Sequence, residues 1–275
     1  MSNCIIREYE NKDVEKLKAL WLENFEDEEN FVNQFFRMLK DTGTGLVAEI
    51  DGTIAGAAYV LCGQELILPS CGEKEHAPVC GYIYAVAVNK NYRHNGIGGA
   101  LVKAAAEKAR ECEAEIITIL PAEESLYGWY EKLIGVKCAL YRKKQIIKSA
   151  PLELYMPLSS TEYMLWRENL LKDRPHLHLS DFSLELERIM CVENGGGFYA
   201  AGCGIAAAYK DGEKGIIREL ICADESQRRI VAASIGTALG VEEVELYSPA
   251  ESGELYIAAD RDIIPADTVW NLSFD

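Results

Sequence analysis

Hydrophobic positions in the first 60 residues switch between helical and strand spacing. Residues 5–7 suit a short edge strand, and apolar side chains then recur at the three- and four-residue steps of a helix. A second short helix follows around residues 31–39. Residues 46–50 and 53–61 flank Asp51-Gly52, a dipeptide that favours a tight hairpin turn. The pattern therefore predicts two helices followed by two antiparallel strands.

The segment of residues 81–88 is apolar on both of its strand faces. Such a strand belongs in the middle of a sheet that is covered on both sides. From Gly96, apolar side chains recur every fourth residue and predict a long helix. Residues 116–120 then read as a strand and residues 125–133 as a helix. This order predicts an α/β fold of the α+β kind, with helices around one mixed sheet.

The pattern changes after residue 150. Helical stretches come first, and a triple glycine then opens a second strand series with one helix in it. The predicted elements are helices at 163–171, 182–190 and 229–239 and strands at 198–209, 215–222 and 244–247. The order of hairpin, strand, helix and strand repeats that of the first half and indicates a degenerate duplication. Because 275 residues approach the size at which one core divides, we predict two domains, 1–150 and 151–275.

Composition narrows the class of protein. The formal net charge of −16 argues against a nucleic-acid partner, because phosphate contacts need clustered Lys and Arg. The same charge would favour a cationic ligand, and solubility is the alternative reason for it. The nine cysteines include no Cys-x-x-Cys pair, so we expect reduced thiols and no metal site. No apolar run reaches the roughly 20 residues that span a bilayer. We expect a cytoplasmic protein without a membrane partner.

The segment with the most chemical information is the loop that joins the double-faced strand to the long helix. It turns through Arg93 and two glycines, Gly96 and Gly98, directly into the helix. Backbone N–H groups at a helix N-terminus have no partner within the helix, and the helix dipole adds partial positive charge there. Glycines leave room for a pyrophosphate to approach the backbone. The loop therefore predicts an anion site, with a bare tight turn as the competing interpretation.

These residues resemble the signature of the GNAT acetyltransferase superfamily, Arg-x-x-Gly-x-Gly or Ala between a central strand and a long helix. His94 and Asn95 depart from the family's usual Gly and Lys or Arg. The resemblance implies a GNAT fold and acetyl-CoA as the cofactor, with its pantetheine arm against the backbone of the strand. The cofactor-binding residues that it implies are Val86, Ala87, Val88, Arg93, His94, Asn95, Gly96, Ile97, Gly98 and Gly99.

A second segment, residues 125–136, resembles the GNAT sequence Tyr-Glu-Lys-Leu-Gly-Phe, whose tyrosine faces the cofactor sulfur. Ile134 is inserted before the glycine of this segment. Counting back from Gly135 with the family's spacing places the tyrosine position at Glu131, whereas alignment of the local sequence places it at Tyr130. We assign Tyr130 as the general acid that protonates the leaving thiolate, with Tyr127 one turn earlier as the alternative. A phenol with a pKa of about 10 is protonated at neutral pH. Packing of both tyrosines on the sheet is the competing interpretation.

Two further features concern the acceptor amine and the base that takes its proton. Residues 81–88 carry no acidic side chain, so water or a group elsewhere must take the acceptor's proton, with His76 as a weak candidate. The acidic run at 26–29 borders the acceptor cleft by resemblance and would attract a cationic amine, unless it is only a solvated helix start. The resemblance implies N-acetyltransfer to a small-molecule or peptide primary amine. The alternative is a non-catalytic acyl-CoA-binding or regulatory protein.

The second half carries no glycine in its corresponding loop. Residues 215–222 continue into a helix through Asp224 and Glu225, which are acids where a pyrophosphate would lie. We therefore expect no cofactor site in residues 151–275. This layout resembles the enhanced-intracellular-survival branch of GNAT proteins, in which a catalytic domain precedes a degenerate GNAT-like one.

Overall fold

The structure is a computed structural model that describes residues 4–42, 44–69 and 77–271. The helices are α1 Val14–Asn24, α2 Glu29–Thr42, α3 Ile97–Glu111, α4 Tyr127–Ile134, α5 Ser160–Leu171, α6 Asp181–Glu193 and α7 Arg228–Leu239. The strands are β1 Cys4–Glu8, β2 Thr44–Ile50, β3 Thr53–Ile67, β4 Val79–Val88, β5 Ile116–Ile119, β6 Cys138–Lys148, β7 Tyr155–Leu158, β8 His176–His178, β9 Gly197–Ala201, β10 Gly204–Asp211, β11 Lys214–Cys222, β12 Glu243–Ala250 and β13 Glu254–Ala259. None of the described helices combines the length and apolarity that crossing a bilayer requires.

These elements form the expected mixed α/β fold. One sheet runs through both halves of the chain in the order β1-β2-β3-β4-β5-β13-β6-β12-β11-β10-β9-β7, and β8 pairs with β3 beside this path. The strand β13 lies between β5 and β6, while β6 also pairs along its length with β12. Each half therefore places a strand in the other half's part of the sheet. The division into two domains at residue 150 stays a prediction. The strands β6 and β13 pair across that division.

The hairpin of the first half has the predicted turn. Asp51 and Gly52 adopt φ angles of 48° and 79°, the left-handed pair that matches the twist of two antiparallel strands. In the second half the expected single strand at 198–209 is wrong, because the chain turns at Gly202, whose φ is 51°, and makes two strands, β9 and β10. The predicted order of hairpin, strand, helix and strand is present in both halves.

Apolar side chains cover the sheet on both faces. On one face a continuous cluster under α1, α2, α5 and α6 extends through both halves. On the other face the cluster under α3 is separate from the cluster under α7. The predicted double-faced strand β4 serves both sides, with Tyr82 in the first cluster and Ile83 in the second. This is why its alternate positions are all apolar.

An aromatic group beneath β4 fixes the part of the strand that leads to the loop. Trp21 of α1 is 2% exposed, and its ring centroid lies 4.7 Å from that of Phe35, 5.4 Å from that of Tyr59 and 5.5 Å from that of Tyr84. Packed aromatic pairs at these distances contribute about 0.5–1.5 kcal/mol each beyond the area that they bury. Tyr84 is thus held at the position where β4 changes direction.

Candidate functional site

The strands β4 and β5 are parallel for four residues and then separate. Their pairing joins Cys80–Ile83 to Ile116–Ile119, whereas β4 continues to Val88. Beyond Ile83, the side of β4 that faces β5 therefore has no strand partner among the described residues. A wedge opens there in the middle of the sheet, and backbone groups of Val86 and its neighbours line one side of it.

A bulge in β4 lies at the point of separation. The register with β3 shifts between the pairs Tyr59–Tyr84 and Ala57–Ala87, and Ala85 adopts a φ of 46°, which is uncommon for a residue with a Cβ. Bulges bend a strand and increase its local twist. The bulge therefore turns the backbone of residues 86–88 away from β5. Ala85 does not differ in type from its neighbours in this apolar run, so its positive φ could not be predicted from the sequence.

The loop after β4 brings left-handed backbone to the start of α3. His94 has a φ of 65° and Gly96 a φ of 78°, and Gly96 is the N-cap residue without a side chain that could accept from the first-turn N–H groups. A Cβ built on Gly96 would meet no described atom within 4 Å. Residues 93–96 are exposed, while Ile97 is buried in the core and presents only its backbone to the loop. The helix start is thus uncapped and accessible, which suits an anion.

Side chains of the loop hold its own backbone. The Arg93 Nε donates to the carbonyl of Val88 at 3.1 Å, and its Nη2 donates to Asn24 Oδ1 at 2.9 Å. The Asn95 amide donates to the carbonyls of Tyr92 at 3.2 Å and Arg93 at 3.3 Å. Arg93 therefore joins the ends of β4 and α1 to the loop. A contact from its guanidinium to phosphate stays a prediction.

The two tyrosines of α4 differ in exposure. Tyr130 is 6% exposed within the core under α3, and burial raises the pKa of its phenol to about 12. Tyr127 is half-buried at the first turn of α4, and its pKa is also raised, first by burial and then by the neighbouring Tyr141 and Glu131. Both phenols are therefore protonated at neutral pH. The roles of Tyr130 and Tyr127 as general acid stay predictions.

The comparisons with known proteins agree with this geometry. The sequence model of the acetyltransferase (GNAT) family matches residues 9–136, which include the wedge, the loop and both tyrosines. Residues 9–136 are therefore similar in sequence to the GNAT acetyltransferase family. No curated protein matches the sequence.

Several solved structures of GNAT proteins resemble this chain over nearly its whole length. A GCN5-related N-acetyltransferase from Kribbella flavida is 15% identical with a TM-score of 0.70, and the match covers 94% of this chain and 71% of that one. A GCN5-related N-acetyltransferase from Anabaena variabilis is 13% identical with a TM-score of 0.70, and the match covers 94% of this chain and 72% of that one. Eis1 from Mycobacterium abscessus is 12% identical with a TM-score of 0.60, and the match covers 89% of this chain and 65% of that one. At these identities the likeness shows the fold.

Two further predictions concern the surroundings of the GNAT site. The acidic run at 26–29 lies between α1 and α2 and into the first turn of α2; its side chains are exposed, and Asp27 Oδ2 accepts from Trp21 Nε1 at 2.7 Å. This bond anchors the run to the aromatic group beneath β4. His76, the weak candidate for a base, lies outside the described residues.

The second half repeats the wedge but not the loop. The strands β11 and β12 are parallel only from Gly215–Ile217 to Val244–Leu246, and a register shift against β10 follows at Arg218. There Arg228, the first residue of α7, donates from Nη1 to the carbonyl of Leu220 at 2.7 Å and from Nη2 to Ser248 Oγ at 2.9 Å. Its guanidinium thus joins the two separating strands.

Proposed function

We propose that this chain transfers the acetyl group of acetyl-CoA to a primary amine. The observation that carries the proposal is the wedge beside β4, which continues into an uncapped, glycine-started helix. The backbone edge of residues 86–88 suits an extended amide-bearing arm, and the N–H groups after Gly96 suit a pyrophosphate. The open direction at the Gly96 α-carbon leaves space for that anion. Acetyl-CoA would supply an acyl group activated as a thioester.

The residues of the wedge fit the charge changes of acyl transfer. As the amine nitrogen bonds to the acyl carbon, negative charge develops on the carbonyl oxygen, and an N–H of residues 86–88 can donate to it. The carbon–sulfur bond then breaks, and the sulfur takes a proton from an acid. The amine loses its proton to water or to a group outside β4, since β4 carries no carboxylate. No covalent bond to the protein is needed.

A tyrosine of α4 is proposed as the acid. Alignment of the local sequence favours Tyr130. A proton donor must, however, reach a sulfur atom in the wedge. The half-buried Tyr127 suits that role better than the buried Tyr130 does. We therefore propose Tyr127 as the donor and Tyr130 as packing beneath it. The raised pKa of Tyr127 keeps the phenol protonated at neutral pH.

The acceptor is proposed to be a small-molecule or peptide amine that carries positive charge. The exposed acidic run at 26–29 and the net charge of −16 support this preference, because both favour the approach of a cation. The field falls off with added salt. A cationic acceptor should therefore show a Michaelis constant that rises with ionic strength.

Two measurements test the proposed function. Calorimetry with CoA is expected to give one site per chain, and two equivalent sites would contradict the assignment of the loop after β4 alone. Release of free thiol from acetyl-CoA is then followed with a panel of amines of different charge. Turnover with at least one amine is expected, whereas binding of CoA without turnover on any amine would favour a binding or regulatory protein.

A further inference from the structure

Trp129 of α4 lies against the start of α3. Its indole atoms Cη2 and Cζ2 lie 3.8 Å and 3.7 Å from the positions that a Cβ would take on Gly98 and Gly99. The ring also meets Tyr130 edge-on, with centroids 4.9 Å apart at 65°. The indole therefore lies against Tyr130 on one side and along the backbone of Gly98 and Gly99 on another, where an added Cβ would make ordinary van der Waals contact with it.

The same indole is 38% exposed. It lies beside the first turn of α3, whose N–H groups follow Gly96, and the direction of the Gly96 Cβ is open. Leu133, one turn after Trp129 on α4, contacts the Gly99 position as well and closes the inner end of the contact. Part of a large aromatic surface thus borders the uncapped helix start and stays accessible beside it. Exposure alone does not distinguish Trp129, since Trp166 is more exposed; its place beside the uncapped helix start does.

We propose that the exposed face of Trp129 is part of the CoA-binding surface and packs against the bound CoA beside the pyrophosphate. The proposal rests on the proposed function. Gly96 leaves room for the anion, while the indole lies beside Gly98 and Gly99 in the first turn of α3. An indole in this position supplies rigid apolar area beside a charged group, which a ligand with polar and apolar parts can use.

Calorimetry with CoA on three variants tests the contact. Trp129→Ala is expected to weaken CoA binding by about 5- to 100-fold, the range for losing one aromatic stacking partner. Trp129→Phe should weaken it by less, because a ring remains. Trp166→Ala is the matched control, since Trp166 is also exposed, at 47%, but lies on α5 in the second half. Its CoA affinity should equal that of the wild type.

Tryptophan emission gives a readout that packing of α4 alone would not move. The wild type and Trp166→Phe should change their emission when CoA is added, and Trp129→Phe should lose most of that change. This measurement also decides the question if Trp129→Ala does not fold. Wild-type affinity in a folded Trp129→Ala protein, or an unchanged CoA response in Trp129→Phe, would overturn the contact alone. Absence of CoA binding by the wild type would overturn the proposed function with it.

Discussion

The loop after β4 and the loop after β11 follow similar arrangements of strands and differ in what fills the wedge. Both follow a bulged strand that separates from a parallel neighbour, and a 3-10 turn precedes the next helix in each. In the first half, residues 93–96 leave the helix start uncapped and exposed. In the second half the 3-10 turn continues directly into α7, and Arg228 bridges the strands. Asp224 Oδ1 accepts from the N–H of Ser226 at 2.9 Å, where the first half has the uncharged Asn89 accepting from Asn91 at 3.0 Å.

The difference shows how one scaffold can be open to a ligand or closed by its own side chains. A carboxylate at the start of a helix takes the place that an anionic ligand would need, and a guanidinium between two strands replaces a ligand's hydrogen bonds with internal ones. The first half also has a helix, α4, after its β5, whereas β12 is followed directly by β13. The second half thus lacks a counterpart for the tyrosines as well as for the glycines.

The largest expected effect is that of Gly96→Val on CoA binding. Its branched side chain would enter the open direction beside the helix start and displace the anion from at least two N–H donors. Losing two hydrogen bonds to a charged group costs about 4 kcal/mol, or roughly 1,000-fold in affinity. Calorimetry with CoA measures this loss.

Gly212→Val is the matched control for this substitution. Gly212 has a φ of 60° in the hairpin between β10 and β11, and a Cβ there also meets no described atom within 4 Å. Both variants should lose a similar amount of stability, because a branched residue in the left-handed region costs about 1–3 kcal/mol. Unchanged CoA affinity in folded Gly96→Val protein would place the anion elsewhere.

Tyr127→Phe is expected to lower turnover by about 10- to 1,000-fold and to leave CoA affinity nearly intact, because only a proton donor is removed. The acetyl-transfer rate is measured beside that of Tyr130→Phe, with the same amine and pH. A large loss in Tyr130→Phe and little change in Tyr127→Phe would return the role to the residue first assigned from the sequence. If neither variant loses activity, solvent protonates the thiolate and no tyrosine is the acid.

Arg228→Ala should change stability and leave the CoA site untouched. Loss of the bonds to Leu220 and Ser248 costs about 2 kcal/mol, which lowers the melting temperature by about 4–8 °C. Thermal unfolding by circular dichroism measures the shift. CoA stoichiometry should remain one per chain with an unchanged dissociation constant. Appearance of a second CoA site in this variant would mean that Arg228 alone closes the second half.

Local signals in the sequence predicted most of the first half. The hairpin at Asp51-Gly52, the double-faced β4 and the buried face of α3 follow from turn chemistry and periodicity over a few residues, and the structure has all three. The predicted loop leads from β4 into α3, and Gly98 lies in the first turn of that helix. Such features depend on neighbours in the chain, which a single sequence displays.

Non-local pairing could not be predicted in the same way. The strands β6 and β13 were not anticipated, and the register that joins Leu140 to Ile257 or Ile147 to Val244 depends on which distant strand lies next to which. The bulge at Ala85 escaped for a different reason, since its alanine has no turn propensity and the strain is fixed by the packing of Tyr84. The break at Gly202 was overlooked because apolar residues continue on both sides of it.

The position of β13 determines when the sheet around the wedge can be completed during synthesis. The neighbours of β13 in the sheet, β5 and β6, leave the ribosome long before β13 itself, which ends at Ala259. At about 5–20 residues per second, the interval between β5 and β13 is on the order of ten seconds. During that time the facing edges of β5 and β6 await their partner strand. The newly made chain therefore depends on its later part to cover an apolar edge beside the wedge.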